Sequence, residues 1–209
     1  MSKIEIFEEH HARYDAWFDE HSAAYVSELL ALRPFVPLEG HGLEVGVGSG
    51  RFAAPLGVAV GVDLSQAMLA LAATRGVQTV NGNAEDLPFA DATFDYALSV
   101  TTLCFVDSPL QMFSEIHRVL KPHSPLTLGF IDSASDVGRL YLALREESIF
   151  YRAASFYSFA DVRQLLTQAG FTVEASAQTL SHPLSEMREI EPVHPGHGHG
   201  AFVVIAART

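Results

Sequence analysis

Three glycines alternate with other residues directly behind a short apolar run, in the stretch LEVGVGSG at residues 43–50. They are Gly46, Gly48 and Gly50, and the acidic residue Glu44 stands two positions before the first of them. Glycine has no Cβ, so a loop of this kind lets the backbone pass close to a bound ligand. The spacing acid-x-Gly-x-Gly-x-Gly therefore predicts a ligand-binding loop.

The residues after the loop discriminate among the ligands that glycine-rich loops bind. A phosphate-binding P-loop ends in Gly-Lys-Ser/Thr, whereas Gly50 is followed here by Arg51 and Phe52, which excludes that type of site. A dinucleotide-binding loop has a third glycine at the position of Arg51. A nicotinamide oxidoreductase is therefore disfavoured, but it stays open as an alternative.

The glycine loop belongs to an alternation of strand-like and helix-like segments. Seven apolar or β-branched runs predict strands at 42–46, 58–63, 77–82, 93–100, 125–132, 171–180 and 202–209. Ser65, Ser108 and Ser158 are expected to cap the helices that follow them, the last in a capping box with Asp161. We expect an α/β fold with a doubly wound seven-stranded sheet, mostly parallel with an antiparallel last strand. Ligands of such sheets bind at the carboxyl ends of the strands, where the glycines lie.

An aromatic stripe marks the N-terminal segment. Aromatic and apolar residues recur every three or four positions from Tyr14 through Trp17 to Leu29, and Pro34 interrupts the pattern. This spacing predicts one amphipathic helix whose aromatic face packs against the rest of the molecule.

Five sequence blocks follow one another between residues 43 and 122, namely LEVGVGSGRF, GVDLS, NAEDLPF, FDYALSV and EIHRVLKP. In this order they resemble the class I S-adenosylmethionine-dependent methyltransferases, and most of all the small-molecule branch that includes the ubiquinone and menaquinone methyltransferases. The resemblance implies a Rossmann-like fold, S-adenosyl-L-methionine as cofactor and S-adenosyl-L-homocysteine as product. It also implies a single domain over 1–209, with an N-terminal helical lid at 1–37, a cofactor-binding half at 38–132 and a substrate-side half with the closing strands at 133–209.

The same resemblance implies roles for individual residues. Asp63 is expected to accept hydrogen bonds from the ribose hydroxyls, and Leu64 to pack on the adenine. Asn83 stands where the family more often has aspartate, so its contact with the purine lacks the added strength of a charge. The full set of expected cofactor-binding residues is Tyr14, Glu44, Gly46, Gly48, Gly50, Asp63, Leu64, Asn83, Ala84, Glu85 and Thr101.

The residues around the transferred methyl group are less defined. Tyr14 and Trp17 are expected to close over the cofactor as part of the lid, although a stripe that only packs the helix on the sheet explains them equally well. Other candidates follow the fourth and fifth predicted strands: Ser99, Thr101, Thr102, Cys104 and Asp132. A soft nucleophile needs no general base whereas a phenol or acidic carbon does, so no catalytic residue is assigned.

Composition narrows the partners and the compartment. Against 13 Lys and Arg stand 25 Asp and Glu, a formal net charge of −12, with no basic patch. Nucleic acid and membrane are therefore not expected partners, and a small-molecule methyl acceptor is. The single cysteine and an N-terminus without a signal-peptide pattern predict a cytoplasmic protein.

Three histidines cluster between the last two predicted strands. His194, His197 and His199 lie within six residues and could bind a metal ion together with His182 or Glu191, but the stretch lacks an anchoring helix, so no metal is predicted.

The resemblance is also compatible with a protein that binds S-adenosylmethionine without catalysis, as a sensor or interaction module.

Overall fold

The computed structural model describes residues 3–143, 146 and 148–209, whose strands join in one eight-stranded sheet. The strands are β1 (Gly42–Val45), β2 (Val60–Asp63), β3 (Gln78–Asn81), β4 (Tyr96–Val100), β5 (Pro125–Ile131), β6 (Thr172–Thr179), β7 (His194–Pro195) and β8 (Phe202–Arg208). The helices are α1 (Lys3–Glu20), α2 (Ser22–Leu32), α3 (Ala53–Leu56), α4 (Gln66–Thr74), α5 (Pro109–Val119), α6 (Asp136–Ala143) and α7 (Phe159–Gln168).

The strands are arranged in the order β3-β2-β1-β4-β5-β8-β6-β7. The five strands from β3 to β5 pair in parallel, and β8 pairs antiparallel with both β5 and β6. This confirms the mostly parallel sheet with an antiparallel last strand. The chain reverses its direction of travel across the sheet between β1 and β4, so the carboxyl ends of these two strands form the edge at which ligands of open α/β sheets bind.

The predicted number of seven strands is wrong, because the stretch HPGHGHG at residues 194–200 begins with a short eighth strand. His194 and Pro195 of β7 pair with Gln178 and Ala177 of β6, at the edge of the sheet. A proline, which lacks a backbone N–H, is tolerated in such an edge position. Two residues are too few to show the alternation of apolar and polar side chains by which strands are predicted.

Helices cover both faces of the sheet, and each face has its own apolar core. On one face, Met112 and Ile116 of α5 and Leu166 of α7 are completely buried. On the other face, Leu32 of α2 and Ala72 of α4 are completely buried. The two layers of helices explain why the central strands read as continuous apolar runs in the sequence.

The single N-terminal helix predicted from the aromatic stripe is also wrong, since the chain forms two helices that meet at His21. The backbone of His21 is non-helical, with φ −116° and ψ 44°, and its ring stacks on Trp17 at 4.8 Å between centroids. Backbone hydrogen bonds nevertheless keep the helical spacing across this point. The N–H of His21 donates to the Trp17 carbonyl, and the N–H of Tyr25 donates to the His21 carbonyl. The apolar period therefore continues across the break, and the sequence pattern does not reveal it.

The predicted helix caps are confirmed. The hydroxyls of Ser65 and Ser108 accept hydrogen bonds from backbone N–H groups three residues further on, at 3.2 and 3.3 Å. Ser158 and Asp161 form the complete capping box. None of the helices in the described part of the chain has the length and apolar character needed to cross a membrane.

Ion pairs attach α1 to the glycine loop. Asp15 of α1 accepts from the Arg51 guanidinium at 2.9 Å and from that of Arg75 at 2.8 Å, and Arg75 also donates to the Ser49 carbonyl at 2.8 Å. Burial by itself raises the pKa of Asp15, but hydrogen bonds from Arg51, Ser49 and Arg75 outweigh it and lower the pKa to about 2. Asp15 thus attaches α1 to the glycine loop.

Replacing Asp15 should loosen this attachment. We expect Asp15→Asn to lower the free energy of unfolding by about 1–3 kcal/mol, because Arg75 loses its carboxylate partner and Arg51 keeps only the exposed Asp19. The deficit should be complete well above the ordinary pKa of 3.8 and mostly lost as the pH falls to 2, where wild-type Asp15 is itself about half protonated. Urea unfolding between pH 2 and 7 measures it. Asp19→Asn is the control, since this carboxylate also pairs with Arg51 but is 71% exposed; equal losses in both variants would contradict the assignment.

Candidate functional site

The glycine loop follows β1 and bends back over the carboxyl end of the sheet. Gly46 has φ +73°, and a Cβ there would lie 2.1 Å from the Oγ1 atom of Thr102, so only glycine fits. The N–H of Gly46 donates to the carbonyl of Val62 at 2.9 Å, which ties the loop to β2. Gly48 is different, because the nearest atom to a Cβ there is Cε1 of Tyr14 at 3.8 Å. The backbone at Gly48 therefore faces open space beneath the lid.

Asp63 ends β2 beside this open space. Its Oδ2 accepts from the N–H of Gly48 and its Oδ1 from the N–H of Ser65, each at 2.9 Å. Burial raises the pKa of Asp63, and these backbone hydrogen bonds oppose the rise. A carboxylate offers about four acceptor positions and the backbone N–H groups do not use all of them, so Asp63 can accept a further hydrogen bond from a ligand.

A cavity of about 420 Å³ lies over these strand ends and under α1. Nine of the eleven expected cofactor-binding residues line it: Tyr14, Gly46, Gly48, Asp63, Leu64, Asn83, Ala84, Glu85 and Thr101. We call it the first cavity. The sequence interpretation missed several of its other lining residues, among them Ile4 and Phe7 of α1, Met68 of α4 and Phe105. Ile4 and Phe7 are three residues apart, and Phe7 precedes Tyr14 by seven residues, or about two helical turns, so the stripe that begins at Tyr14 does not reveal them.

Glu44 and Gly50, the other two expected residues, line neither the first cavity nor the second cavity described below. The Glu44 side chain is 1% exposed, and burial raises its pKa well above the ordinary value. Gly50 has φ +79°, and a Cβ there would lie 3.0 Å from the Cα of Ala72 in α4. The structure therefore gives Gly50 a packing role between the loop and α4. Motif spacing identified both residues but could not show which way they face.

A second cavity of about 380 Å³ adjoins the first and is lined mainly by aromatic side chains. Its aromatic lining includes Trp17, Phe18, Phe52, Phe150, Tyr151 and Phe156. Tyr14, Thr101 and Phe105 line both cavities, so the two spaces meet at these residues. Thr101 has φ +51°, a strained conformation for a β-branched residue, and it forms a side-chain hydrogen bond with Tyr14.

The hydroxyl of Tyr14 stays protonated at this junction. Burial is the main cause that raises the pKa of Tyr14, and the neighbouring charges of Cys104, Glu28 and Asp63 raise it further. A phenol with a raised pKa donates a hydrogen bond but is a poor proton acceptor at neutral pH. Tyr14 therefore suits the alignment of ligands between the two cavities and not general-base catalysis.

Glu28 of α2 lines the second cavity and is the functional candidate that sequence reasoning missed. Its side chain is 5% exposed, and it forms no hydrogen bond or ion pair within the described part of the chain. Burial raises its pKa to about 8. One signal was available in the sequence: at helical spacing, Glu28 falls on the same face as Ala24, Ala31 and Leu32, which are all buried.

The remaining candidates near the methyl group separate into two groups. Thr102 lines the first cavity, and Trp17 and Cys104 line the second. Ser99 is buried and donates to the Val45 carbonyl at 3.0 Å, while Asp132 accepts from the N–H groups of Ala134 and Phe159 at 3.0 and 3.1 Å. Ser99 and Asp132 therefore hold strands and loops together and line neither cavity.

Three of the histidines considered as metal ligands each contact a different neighbouring side chain. His182 pairs with Glu191 at 2.8 Å, His197 stacks on Phe159 at 3.7 Å, and His199 lies 3.6 Å from Asp136. Among the residues that the structure describes, no three histidine, cysteine or acidic side chains come together in a group that could hold a metal ion.

Comparison with known proteins agrees with this geometry. The family model of the methyltransferase domain matches residues 43–128. A crystal structure from Thermotoga maritima, described as an S-adenosylmethionine-dependent methyltransferase and possible histamine N-methyltransferase, is 45% identical, covers 99% of both chains and superposes with a TM-score of 0.94.

Two curated relatives extend this result. An uncharacterized protein of Methanocaldococcus jannaschii is 39% identical over 98% of both chains. A demethylmenaquinone methyltransferase of Lysinibacillus sphaericus is 40% identical, but over only 30% of this chain and 29% of its own. The similarity to the menaquinone branch is thus partial.

The raised pKa of Glu28 predicts a pH-dependent cost to stability. A carboxyl whose pKa is 4.5 when unfolded and about 8 when folded destabilises the folded state increasingly as the pH rises between these values. Glu28→Gln does not titrate, so it should gain stability over the wild type by up to about 1.4 kcal/mol per pH unit in this range and no more above it. Urea unfolding at several pH values measures the difference. Glu39→Gln, at an exposed position, is the control; a gain that does not vary with pH would refute the shift.

Proposed function

The chain belongs to the class I S-adenosylmethionine-dependent methyltransferases, and we propose that it methylates a small molecule held in the second cavity. It is an enzyme whose cofactor is S-adenosyl-L-methionine. The observation that carries the proposal is the junction at Tyr14 and Thr101, where a cavity built by the glycine loop and Asp63 meets a separate aromatic cavity.

The first cavity fits the cofactor in volume and in chemistry. Its volume of about 420 Å³ falls in the range of roughly 300–1,000 Å³ that is usual for sites of molecules of this size. Asp63 would accept hydrogen bonds from the ribose hydroxyls, and Leu64, which is 40% exposed, would pack on the adenine. Asn83, Ala84 and Glu85 would border the purine.

Gly46 and Gly48 would let the backbone approach the methionyl part of the cofactor, since no Cβ stands in the way. When bound, the cofactor supplies a methyl group already activated by the positive charge on sulfur. The chain itself then has to align the acceptor and exclude water, and alignment can lower the barrier by about 7–11 kcal/mol. Tyr14, Thr101 and Phe105 are placed to do both, because they line the passage between the cavities.

The second cavity supports a small acceptor. Its volume of about 380 Å³ and its mainly aromatic lining suit a compact organic molecule and not a polymer. The Thermotoga maritima protein is described as a possible histamine N-methyltransferase, and histamine is an acceptor of this size class. A cofactor-binding protein without catalysis and a nicotinamide oxidoreductase are not favoured.

The acceptor class can be tested with methyl-labelled S-adenosylmethionine. The enzyme is incubated with the labelled cofactor and a cell extract, and the label is traced in the small-molecule, protein and nucleic-acid fractions. We expect enzyme-dependent label in the small-molecule fraction that disappears with excess S-adenosylhomocysteine. Label in protein or nucleic acid would contradict a small acceptor, and no transfer by a protein that binds the cofactor would favour the non-catalytic alternative.

The cofactor site can be tested at Asp63. We expect Asp63→Asn to weaken S-adenosylhomocysteine binding at least tenfold in calorimetric titration, because an amide retains only one of the two acceptor oxygens. Stability should also fall by about 1–3 kcal/mol, since one of the two backbone donors at Asp63 loses its acceptor. Asp91→Asn, at a side chain that is 78% exposed, is the control. NADH binding in place of the sulfur compounds would overturn the cofactor assignment.

A further inference from the structure

We infer that the acceptor is a small amine and that Glu28 binds it as its counter-ion and accepts its proton before methyl transfer. This inference rests on the proposed function, because it concerns the molecule that occupies the second cavity. Its geometric basis is a carboxyl group that lines this cavity, is 5% exposed, and forms no hydrogen bond or ion pair in the described part of the chain.

A carboxyl in a largely aromatic cavity wall, with no hydrogen-bond partner among the described residues, is costly, so its presence requires an explanation. Burying a polar group without a hydrogen bond costs about 1–3 kcal/mol in proteins, and burying an unpaired charge costs more. A leucine would avoid this cost in the empty protein, and a glutamine would avoid the additional cost of a charge. A cationic ligand explains the carboxyl, because it supplies the missing partner when it binds.

The aromatic lining favours the same class of ligand. The faces of aromatic rings attract ammonium groups, most strongly where water is excluded. Trp17, Phe150 and Tyr151 line the cavity together with Glu28. A small amine with a hydrocarbon group would therefore find both a counter-charge and an apolar surface in this cavity. A neutral alcohol would use only the apolar surface.

The groups that face Glu28 leave it as the proton acceptor. Tyr14 of α1, Tyr141 of α6 and Tyr151 are close enough for the Glu28 charge to raise their pKa values, after the larger effect of burial. Tyrosines with raised pKa values remain neutral near pH 7. Arg13 and Glu20 also line the cavity but are exposed to solvent. His21 and Cys104 line it too, and both contact the backbone: His21 Nδ1 lies 3.1 Å from the Trp17 carbonyl oxygen, and Cys104 Sγ donates to the Thr101 carbonyl at 3.1 Å. Tyr25 lies on the same helix as Glu28, and burial raises its pKa as well.

The reaction balances with these groups alone. Protonated Glu28 releases its proton when the ammonium ion binds, and the ion pair forms. The ammonium then gives one proton to the Glu28 carboxylate, and the nitrogen lone pair of the neutral amine forms the new N–C bond. The C–S bond breaks, its electron pair stays on sulfur as neutral S-adenosylhomocysteine, and the product leaves as a methylated ammonium ion. Glu28 ends protonated, and one proton is released overall.

Direct binding tests the inference without knowledge of the natural acceptor. The protein is loaded with S-adenosylhomocysteine and titrated calorimetrically with benzylamine, 2-phenylethylamine and cyclohexylamine, and with the alcohol that matches each. We expect at least one amine to bind ten times more tightly than its alcohol. Its affinity should rise about tenfold per pH unit below pH 8 and level off above, because Glu28 must lose its proton. Titrations in buffers of different ionisation enthalpy should show nearly one proton released at pH 7.

Glu28→Gln should abolish both the preference for the amine and the proton release, while S-adenosylhomocysteine binds as before. Loss of folding does not explain such a result, since this variant is expected to be the more stable protein at neutral pH. Glu39→Gln should retain the preference. Equal binding of amines and alcohols, no binding of any amine, or an unchanged preference in Glu28→Gln would overturn the inference. Failure of S-adenosylhomocysteine to bind the wild type would instead refute the proposed function.

Discussion

The parallel pairing of β2, β1 and β4 is the constraint on which the rest of the structure depends. Parallel strands end at the same edge of a sheet, so three separate segments of the chain meet there: the glycine loop after β1, Asp63 at the end of β2 and Thr101 after β4. The N–H of Gly48 then reaches the Asp63 carboxylate at 2.9 Å. A shift of either strand by one residue would turn its side chains to the opposite face and separate these groups.

The two N-terminal helices convert this open edge into enclosed space. Asp15 holds α1 over the glycine loop through Arg51 and Arg75, and this position places Tyr14 between the two cavities. The kink at His21 then allows α2 to turn and present Glu28 to the second cavity. The lid therefore contributes to both cavities, and its ion pairs connect the stability of the fold with the geometry of the site.

Stability and function are in opposition at Glu28. The carboxyl weakens the folded state as the pH rises from 4.5, yet it is the group that gives the aromatic cavity a chemical preference. Asp63 is also a buried carboxyl at a binding site. Burial raises its pKa, but hydrogen bonds from two backbone N–H groups offset part of this rise. Residues of this kind mark sites at which a ligand completes the hydrogen bonding of the protein.

The sequence by itself determined the fold class, the helix caps and, through the family resemblance, the cofactor and nine residues of the first cavity. These depend on local patterns: apolar runs mark the strands, Ser158 and Asp161 interact within one turn, and the glycine loop with Asp63 lies within one βαβ unit. What the tertiary structure decided was orientation and contact between distant segments. Spacing alone could not show that Glu44 and Gly50 turn away from the cavities, or that Asp132 holds two backbone segments together. It also could not show that Glu28, within an apolar helix, faces a second cavity completed by residues 148–157, because that space exists only after the helix packs on the sheet.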